Sequence, residues 1–219
     1  MLESLRDRLR AWRPAQAPPA GRWVVLDVET SGLDLRNDRL LAIAAVAVQV
    51  GGPRAVVELG DSFEVVLQQA PRAQAHDRAN ILLHGIGVGA QRTGMPGAMA
   101  LQAFVDYAAG SPLVAFHAAF DRAMIDRALQ TAALPALRSR WLDLEPLAAV
   151  LQPQVKARSL DEWMQALGIQ CAVRHQAAAD TLATAELLLK LWPALLAELP
   201  RPDFRAVQAL AAHRRWLPG

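Results

Sequence analysis

Two acidic residues, Asp27 and Glu29, end an otherwise apolar run of the sequence. The run reads Trp-Val-Val-Leu-Asp-Val-Glu-Thr over residues 23–30, and without the two acids it would be typical of a buried β-strand. Side chains two positions apart share one strand face, roughly 7 Å apart along the strand, so both carboxylates would enter one pocket. Two like charges about 4 Å apart cost on the order of 4 kcal/mol at an effective dielectric near 20. The pair therefore predicts a divalent cation, because carboxylate oxygens are ligands that Mg²⁺ and Mn²⁺ prefer.

An acid pair of this spacing also has a structural interpretation. Asp-x-Glu is short enough to occur by chance on surface strands, and it occurs again in Trp-Leu-Asp-Leu-Glu-Pro over residues 141–146. Pro146 cannot sit in a central strand and fits the first turn of a helix, which makes Asp143 the predicted N-cap. Asp27 and Glu29 therefore need partners elsewhere in the sequence before they count as a site.

Composition bounds the class of protein. At 219 residues with 53% apolar residues, the chain can build one well-buried core. A single cysteine, Cys171, excludes an internal disulfide and a cysteine-based zinc cluster. No run of eighteen apolar residues occurs, so we expect a cytoplasmic protein without a membrane partner. The net charge of +2 is too small to indicate nucleic-acid binding; arginines at both chain ends suit phosphate contacts or reflect a GC-rich genome.

Proline and apolar periodicity divide the chain into three parts: a basic N-terminal segment with a Pro-rich linker over 1–21, a folded domain over 22–199, and a C-terminal basic tail over 200–219. Apolar runs after the first strand predict strands at 39–50, 55–59, 62–67 and 112–116. Helical spacing predicts helices at 98–108, around Met124, and at 145–151, 160–167 and 177–199, the last kinked or broken at Pro193. Such an order indicates a mixed sheet flanked by helices, with ligands at the strand ends.

Two further segments place acids beside predicted helices. Residues 116–121, Phe-His-Ala-Ala-Phe-Asp, put Asp121 just past a short buried strand, where a helix N-cap is the alternative role. Residues 175–180, His-Gln-Ala-Ala-Ala-Asp, put His175 before a long helix and Asp180 in its opening turns. Five helical residues rotate by about 140°, so His175 must lie outside the regular helix to converge with Asp180.

Together these segments resemble the DnaQ-like 3′–5′ exonucleases of the DEDD superfamily, in the DEDDh subgroup that includes the proofreading epsilon subunit of bacterial DNA polymerase III. The resemblance covers about residues 22–195, and its three motifs match residues 26–33, 118–121 and 174–180 in order and spacing. It implies a ribonuclease H-like α/β fold: a mixed five-stranded sheet, with an antiparallel meander followed by parallel strand-helix units, flanked by helices.

The resemblance also assigns roles to residues. Four acids would hold two Mg²⁺ or Mn²⁺ ions, His175 would act as the general base, and nucleoside 5′-monophosphates would leave one at a time from a 3′ end. The implied metal ligands are Asp27, Glu29, Asp121 and Asp180. The implied substrate-binding residues are Thr30, Ser31, Gly32, Leu33, His84, His117 and Phe120.

One departure from the family pattern lies just before the second motif. The family usually carries His-Asn where this chain has Phe116 and His117. Because the metal acids are untouched, we expect the chemistry to survive and the positioning of the substrate strand to differ.

Three functions compete at this point. The leading hypothesis is an exonuclease acting on single-stranded DNA or frayed 3′ ends. An RNA-trimming or oligoribonucleotide-degrading nuclease would use the same acids and differ in contacts to the 2′-hydroxyl. A polymerase-associated interaction module with weak or no activity is the third, although a purely structural protein has little reason to keep a repulsive acid cluster. Whether the chain works alone or beside a DNA polymerase stays open.

Overall fold

A central mixed sheet with helices on both faces organises the chain in a computed structural model. The structure describes residues 19–70, 81 and 85–216, without the side chains of 215 and 216. The strands are β1 (Arg22–Thr30), β2 (Leu40–Gln49), β3 (Val56–Val66), β4 (Leu113–Ala115) and β5 (Trp141–Asp143). The helices are α1 (Val88–Thr93), α2 (Gly97–Ala108), α3 (Ala118–Thr131), α4 (Leu144–Leu151), α5 (Leu160–Leu167), α6 (Ala177–Glu198) and α7 (Phe204–Ala211), and a 3₁₀ turn spans Ala212–Trp216.

Strand β1 lies at the centre of the sheet, whose order is β3-β2-β1-β4-β5. Strands β1, β2 and β3 form an antiparallel meander, and β4 and β5 continue the sheet parallel to β1. The predicted fold class is confirmed. Because parallel strands end at the same edge of a sheet, the segments that follow β1, β4 and β5 meet there.

Two predicted strands differ from those observed. The β-like runs at 55–59 and 62–67 are parts of one strand, β3, in which Glu58 pairs with Ala47 and Ser62 pairs with Val46. The three residues between these two pairs, 59–61, have no partner on β2 and form an irregularity within the strand. The fifth strand is β5 instead, which the sequence indicated only as the approach to a helix. It is three residues long and buries only Leu142, too little for a periodic signal.

Alternation along β1 sends its side chains to two separate cores. Even-numbered positions 24–28 pack with α2 and α3 on one face, whereas Trp23 and Val25 pack with α4, α5, α6 and α7 on the other. Asp27 and Glu29 share the parity of Trp23 and Val25. Their carboxylates therefore lie on the face that α6 covers, at the end of the strand where that core stops.

Helix α6 is the longest helix of the described residues and continues through Pro193, so the predicted break does not occur. Proline removes one backbone hydrogen bond, but Leu191, Trp192 and Leu195 are fully buried around it. Their packing holds the helix together across the proline.

Part of the predicted C-terminal tail packs on the domain. Asp203 caps α7 by accepting from the backbone N–H groups of Arg205 and Ala206, and Phe204 contacts Trp23 edge to face with ring centroids 4.9 Å apart. Most of the predicted basic segment and Pro-rich linker, residues 1–18, lies outside the described residues. Among the helices that the structure describes, none has the length and apolar character needed to cross a membrane.

A buried arginine at the start of β1 fixes the irregular part of β3. Arg22 donates from Nε and Nη2 to the two carboxylate oxygens of Asp61 at 2.6 and 2.8 Å, and from Nη1 to Ser111 Oγ at 2.8 Å. Its guanidinium also lies 4.8 Å from the centroid of the Tyr107 ring, and the Tyr107 hydroxyl donates to the Asp61 carbonyl. One side chain thus connects β1, β3, α2 and the turn before β4.

Replacing this arginine should destabilise the fold. We expect Arg22→Met to lower the free energy of unfolding by about 2 to 3 kcal/mol, the scale for losing charge-assisted hydrogen bonds made by a buried arginine to a partly exposed carboxylate. Urea denaturation followed by circular dichroism measures the change. Arg122→Ala is the matched control, because Arg122 pairs with Asp126 at 3.5 Å on the surface and should matter by less than about 0.5 kcal/mol. Equal losses in the two variants would contradict the assigned role of Arg22.

Candidate active site

Three carboxylates converge where β1 ends and α6 begins. One oxygen from each of Asp27, Glu29 and Asp180 lies within 4.8 Å of the others. Asp27 and Glu29 stand opposite Ala44 and Ala42 on β2, and these small side chains leave space on the shared face. The strand alternation predicted from the sequence is therefore what brings the two acids of β1 together.

The first turn of α6 is fixed to the sheet beside these acids. Asp180 is 6% exposed, and the next residue, Thr181, donates from Oγ1 to the Ala44 carbonyl at 3.2 Å. Since Ala44 is the residue paired with Asp27, this bond sets the distance between α6 and the acidic end of β1.

Asp121 approaches the cluster from α3, on the other side of β1. It is 4% exposed. Burial raises the pKa of its carboxyl to about 7, while the backbone N–H groups of Asp121 and Val28 act in the opposite direction. Asp121 is outside the group of three, but its charge raises the pKa of Asp27. The four acids predicted from the motifs thus form one electrostatic unit.

Burial and mutual repulsion raise the pKa values of both acids of β1. Burial, followed by the charges of Asp121, Glu29 and Asp180, raises the pKa of Asp27 well above its usual range. Burial and the charge of Asp180 raise the pKa of Glu29 to about 8, against the opposing charge of Arg174. A divalent cation would remove this repulsion. The donors are all carboxylate oxygens, a set that fits Mg²⁺ or Mn²⁺.

The loop before α6 carries His175 outside the helix, as the motif spacing requires. His175 has a left-handed backbone, with φ at 62°, and its N–H donates to Asp180 Oδ2 at 3.1 Å. The helix begins two residues later, with Gln176 at the N-cap position. The side chain of His175 is exposed at the rim of the acidic cluster.

Arg174, one residue earlier, is a part of the site to which the sequence analysis gave no role. Its guanidinium pairs with Asp161 of α5 and with Asp180. Cys171 also belongs to this loop, with Sγ 3.8 Å from Asp180 Oδ1. Arg174 was visible only as the first residue of the third motif, because the sequence gives no sign that α5 lies beside the loop.

The loop after β1 is organised around Asp38. Its carboxylate accepts from Ser31 Oγ at 2.8 Å and from the Asp34 N–H at 2.8 Å. Gly32 passes so close that a Cβ there would lie 2.4 Å from Asp38 Oδ2, and Leu33 is left 83% exposed. The predicted substrate-binding residues Ser31, Gly32 and Leu33 therefore lie in one loop, held by hydrogen bonds to Asp38, next to the acids of β1.

The remaining predicted substrate-binding residues are His117, Phe120 and His84, and the first two have different environments. His117 precedes α3 with φ at 60°, and its Nε2 lies 3.0 Å from the Arg158 carbonyl. Phe120 is partly buried and packs against the core formed with α2 and α3. His84 lies outside the described residues, although Gly85 beside it approaches the Gln176 side chain.

Asp143 caps α4 as predicted, by accepting from the Glu145 N–H at 3.2 Å. The same oxygen, Oδ1, accepts from the His117 N–H at 3.0 Å. Asp143 is also near enough for its charge to raise the pKa of Asp121. Its structural role is confirmed, and it supports the segment that carries the second motif.

Comparisons with known proteins agree on one class of enzyme. The RNase T family model, described as an exonuclease model, matches residues 24–188. A DNA polymerase III subunit epsilon-like protein of Rhodobacter capsulatus is 34% identical over 80% of this chain and 24% of its own length. A PolC-type DNA polymerase III of Clostridium perfringens is 31% identical over 76% of this chain and 11% of its own length. The chain thus spans a minor part of these relatives.

Solved structures share the fold. An exonuclease I structure superposes with a TM-score of 0.67 and 17% identity, covering 88% of this chain and 44% of the other. Escherichia coli exonuclease I in complex with a dA16 oligonucleotide gives a TM-score of 0.67 at 18% identity, over 88% of this chain and 43% of the other.

The raised pKa of Glu29 predicts the pH dependence of stability. Between the usual value of 4.5 and about 8, the folded state binds more protons than the unfolded state, so the free energy of unfolding falls as pH rises through this window. Glu29→Gln removes that contribution. With chelator present, we expect the melting temperature of the variant to fall by several degrees less than that of the wild type between about pH 5 and pH 8.

Differential scanning fluorimetry at matched ionic strength measures both pH profiles. Parallel profiles for wild type and Glu29→Gln would contradict the repulsion assigned to Glu29.

Proposed function

The chain belongs to the exonuclease family whose model it matches over residues 24–188, and we propose that it is a 3′–5′ exonuclease of single-stranded or frayed DNA. It would hydrolyse the terminal phosphodiester and release nucleoside 5′-monophosphates one at a time. The observation that carries this proposal is the meeting of Asp27, Glu29 and Asp180 within 4.8 Å, with Asp121 beside them.

These four acids would hold two Mg²⁺ or Mn²⁺ ions. When bound, such a pair of ions activates the attacking water and stabilises the leaving oxygen of an in-line displacement. The protein's own contribution is to hold four carboxylates on a strand and two helices, where burial keeps water from screening them. Rigid elements of this kind hold ligand oxygens more closely than loops do.

His175 is the proposed general base. Its backbone N–H donates to Asp180 Oδ2, which keeps the residue at the rim of the cluster, and from there its exposed imidazole would accept a proton from a water beside the substrate phosphate. Imidazole accepts a proton near neutral pH. Phe120, His117 and the loop from Thr30 to Leu33 would contact the terminal nucleotide, with His84 as a further contact at its base.

DNA is the proposed substrate because the similar polypeptides are DNA polymerase III proteins. A DNA polymerase is accordingly the proposed partner class. The acids themselves do not distinguish DNA from RNA, because the choice between them depends on contacts to the 2′-hydroxyl.

Asp27→Asn should abolish cleavage while leaving a folded protein, because it removes one metal-binding charge and keeps the side-chain shape. The assay uses 5′-labelled single-stranded DNA and its matched RNA, with Mn²⁺ or with chelator. We expect a metal-dependent ladder that shortens from the 3′ end of the DNA, and no ladder with the variant.

Each other outcome of this assay excludes a part of the proposal. Faster shortening of the RNA would identify an RNA-trimming enzyme. Wild-type turnover by Asp27→Asn would refute the metal assignment. Intact DNA and RNA under every condition, combined with DNA binding, would identify an interaction module.

His175→Ala should lower the cleavage rate roughly 10²-fold or more, the usual range for a lost general base. The acidic limb of the pH–rate profile should also change, because the group that must be deprotonated is gone. Single-turnover rates between about pH 5.5 and 9 test both effects. His213→Ala is the matched control, since His213 lies in the C-terminal 3₁₀ turn. A variant at position 175 that keeps the wild-type profile would remove the assignment.

A further inference from the structure

We propose that Arg174 competes with the divalent metal for the carboxylate of Asp180. Asp161 would hold the guanidinium of Arg174 in both states, with Asp180 bound to the arginine and with Asp180 bound to the metal. Arg174 would therefore lower the metal affinity of the enzyme in the absence of nucleic acid. This inference rests on the metal site of the proposed function and adds a residue that controls access to it.

The guanidinium of Arg174 bridges two acids on different helices. Nε donates to Asp161 Oδ1 at 2.5 Å, and Nη2 lies 3.3 Å from Asp161 Oδ2. The remaining nitrogen, Nη1, pairs with Asp180 Oδ1. Two of the three guanidinium nitrogens, Nε and Nη2, thus contact Asp161, and only Nη1 contacts the acidic cluster.

Both oxygens of Asp180 already have partners in the loop that precedes α6. Oδ1 forms an ion pair with Arg174 Nη1 and lies 3.8 Å from Cys171 Sγ, and Oδ2 accepts from the N–H of His175. A metal ion that binds Oδ1 must therefore displace Arg174. Sharing the oxygen is unfavourable, because a divalent ion and a guanidinium would then lie within a few ångströms of each other in a buried place.

The charge of Arg174 extends over the rest of the cluster. It acts on Asp27 and on Glu29 in the direction opposite to their mutual repulsion. The side chain is 24% exposed, and that of Asp161 is 57% exposed. An arginine in this position supplies, from inside the chain, part of the positive charge that the acids require.

The anchor makes release of Asp180 a small movement. Asp161 holds two of the three guanidinium nitrogens in a fork that matches the carboxylate. A rotation that frees Nη1 can keep this fork intact, so the arginine does not need to leave the site. Asp161 therefore favours metal binding, and Arg174 opposes it.

Arg174 and Asp161 are thus expected to change metal affinity in opposite directions. The experiment that tests this uses the whole 219-residue chain without nucleic acid. Mn²⁺ binding is measured by the loss of the electron paramagnetic resonance signal of free Mn²⁺. Arg174→Ala should lower the dissociation constant roughly tenfold or more, the scale of one charge-assisted hydrogen bond. Asp161→Asn should raise the dissociation constant, because the arginine then has only Asp180 as an acidic partner. Arg122→Ala, which removes a surface charge paired with Asp126, should leave it unchanged.

The double variant Arg174→Ala/Asp161→Asn separates anchoring from general electrostatics. If Asp161 acts by anchoring Arg174, the double variant binds Mn²⁺ as tightly as Arg174→Ala alone. If the two effects simply add, Asp161 acts only through its charge and its anchoring role is refuted.

Two results would overturn the proposal in distinguishable ways. Binding that is lost in Asp27→Asn but unchanged or weakened in Arg174→Ala would refute the competition and keep the metal site. Binding that Asp27→Asn does not affect would refute the metal site and the competition together.

Discussion

Repulsion among buried carboxylates is the constraint on which the rest of this structure depends. Asp27, Glu29, Asp121 and Asp180 are held together at one edge of the sheet. Burial and mutual repulsion raise the pKa values of Asp27 and Glu29, and burial raises that of Asp121. Such repulsion would separate the strand and helices that carry the acids if their packing were weak. The support here consists of a central strand buried on both faces and two helices packed against those faces, so the apolar cores oppose the repulsion directly.

The four acids approach one edge of the sheet from both faces of β1. The same strand also contributes side chains to both apolar cores. The strand sends alternate side chains to the two faces, so Asp27 and Glu29 join Asp180 on the side of α6, while Asp121 reaches the backbone of Val28 from α3. A shift of β1 by one residue would exchange the faces and separate the acids. Such a shift is unfavourable, because it would disrupt nine residue pairs with β2 and the packing of apolar side chains on both faces at the same time.

Local rules predicted the parts of the site that depend on chain periodicity. The period of two along β1 predicted that Asp27 and Glu29 share a face, and the helical period required His175 to lie outside α6. Pairings between distant segments were not predictable in this way. Asp38 closes the loop after β1 and Arg174 meets Asp161 only because tertiary packing brings those segments together. Strand β5 was missed for a related reason, since three residues at a sheet edge carry almost no periodic pattern.

The departure at Phe116 and His117 is best understood through the backbone. His117 has φ at 60°, a region that few residues adopt and in which asparagine and histidine are both enriched. Histidine at the family's asparagine position therefore keeps the turn that joins β4 to α3, and with it the placement of Asp121 one helical turn later. The backbone N–H of His117 is held by Asp143, which fixes this turn from β5. What the substitution changes is the side chain, because its ring lies against the Arg158 carbonyl and beside the ring of Phe116, 4.6 Å away between centroids. Under the proposed function the two roles are therefore separable: the turn places Asp121, and the ring of His117 would contact the substrate strand.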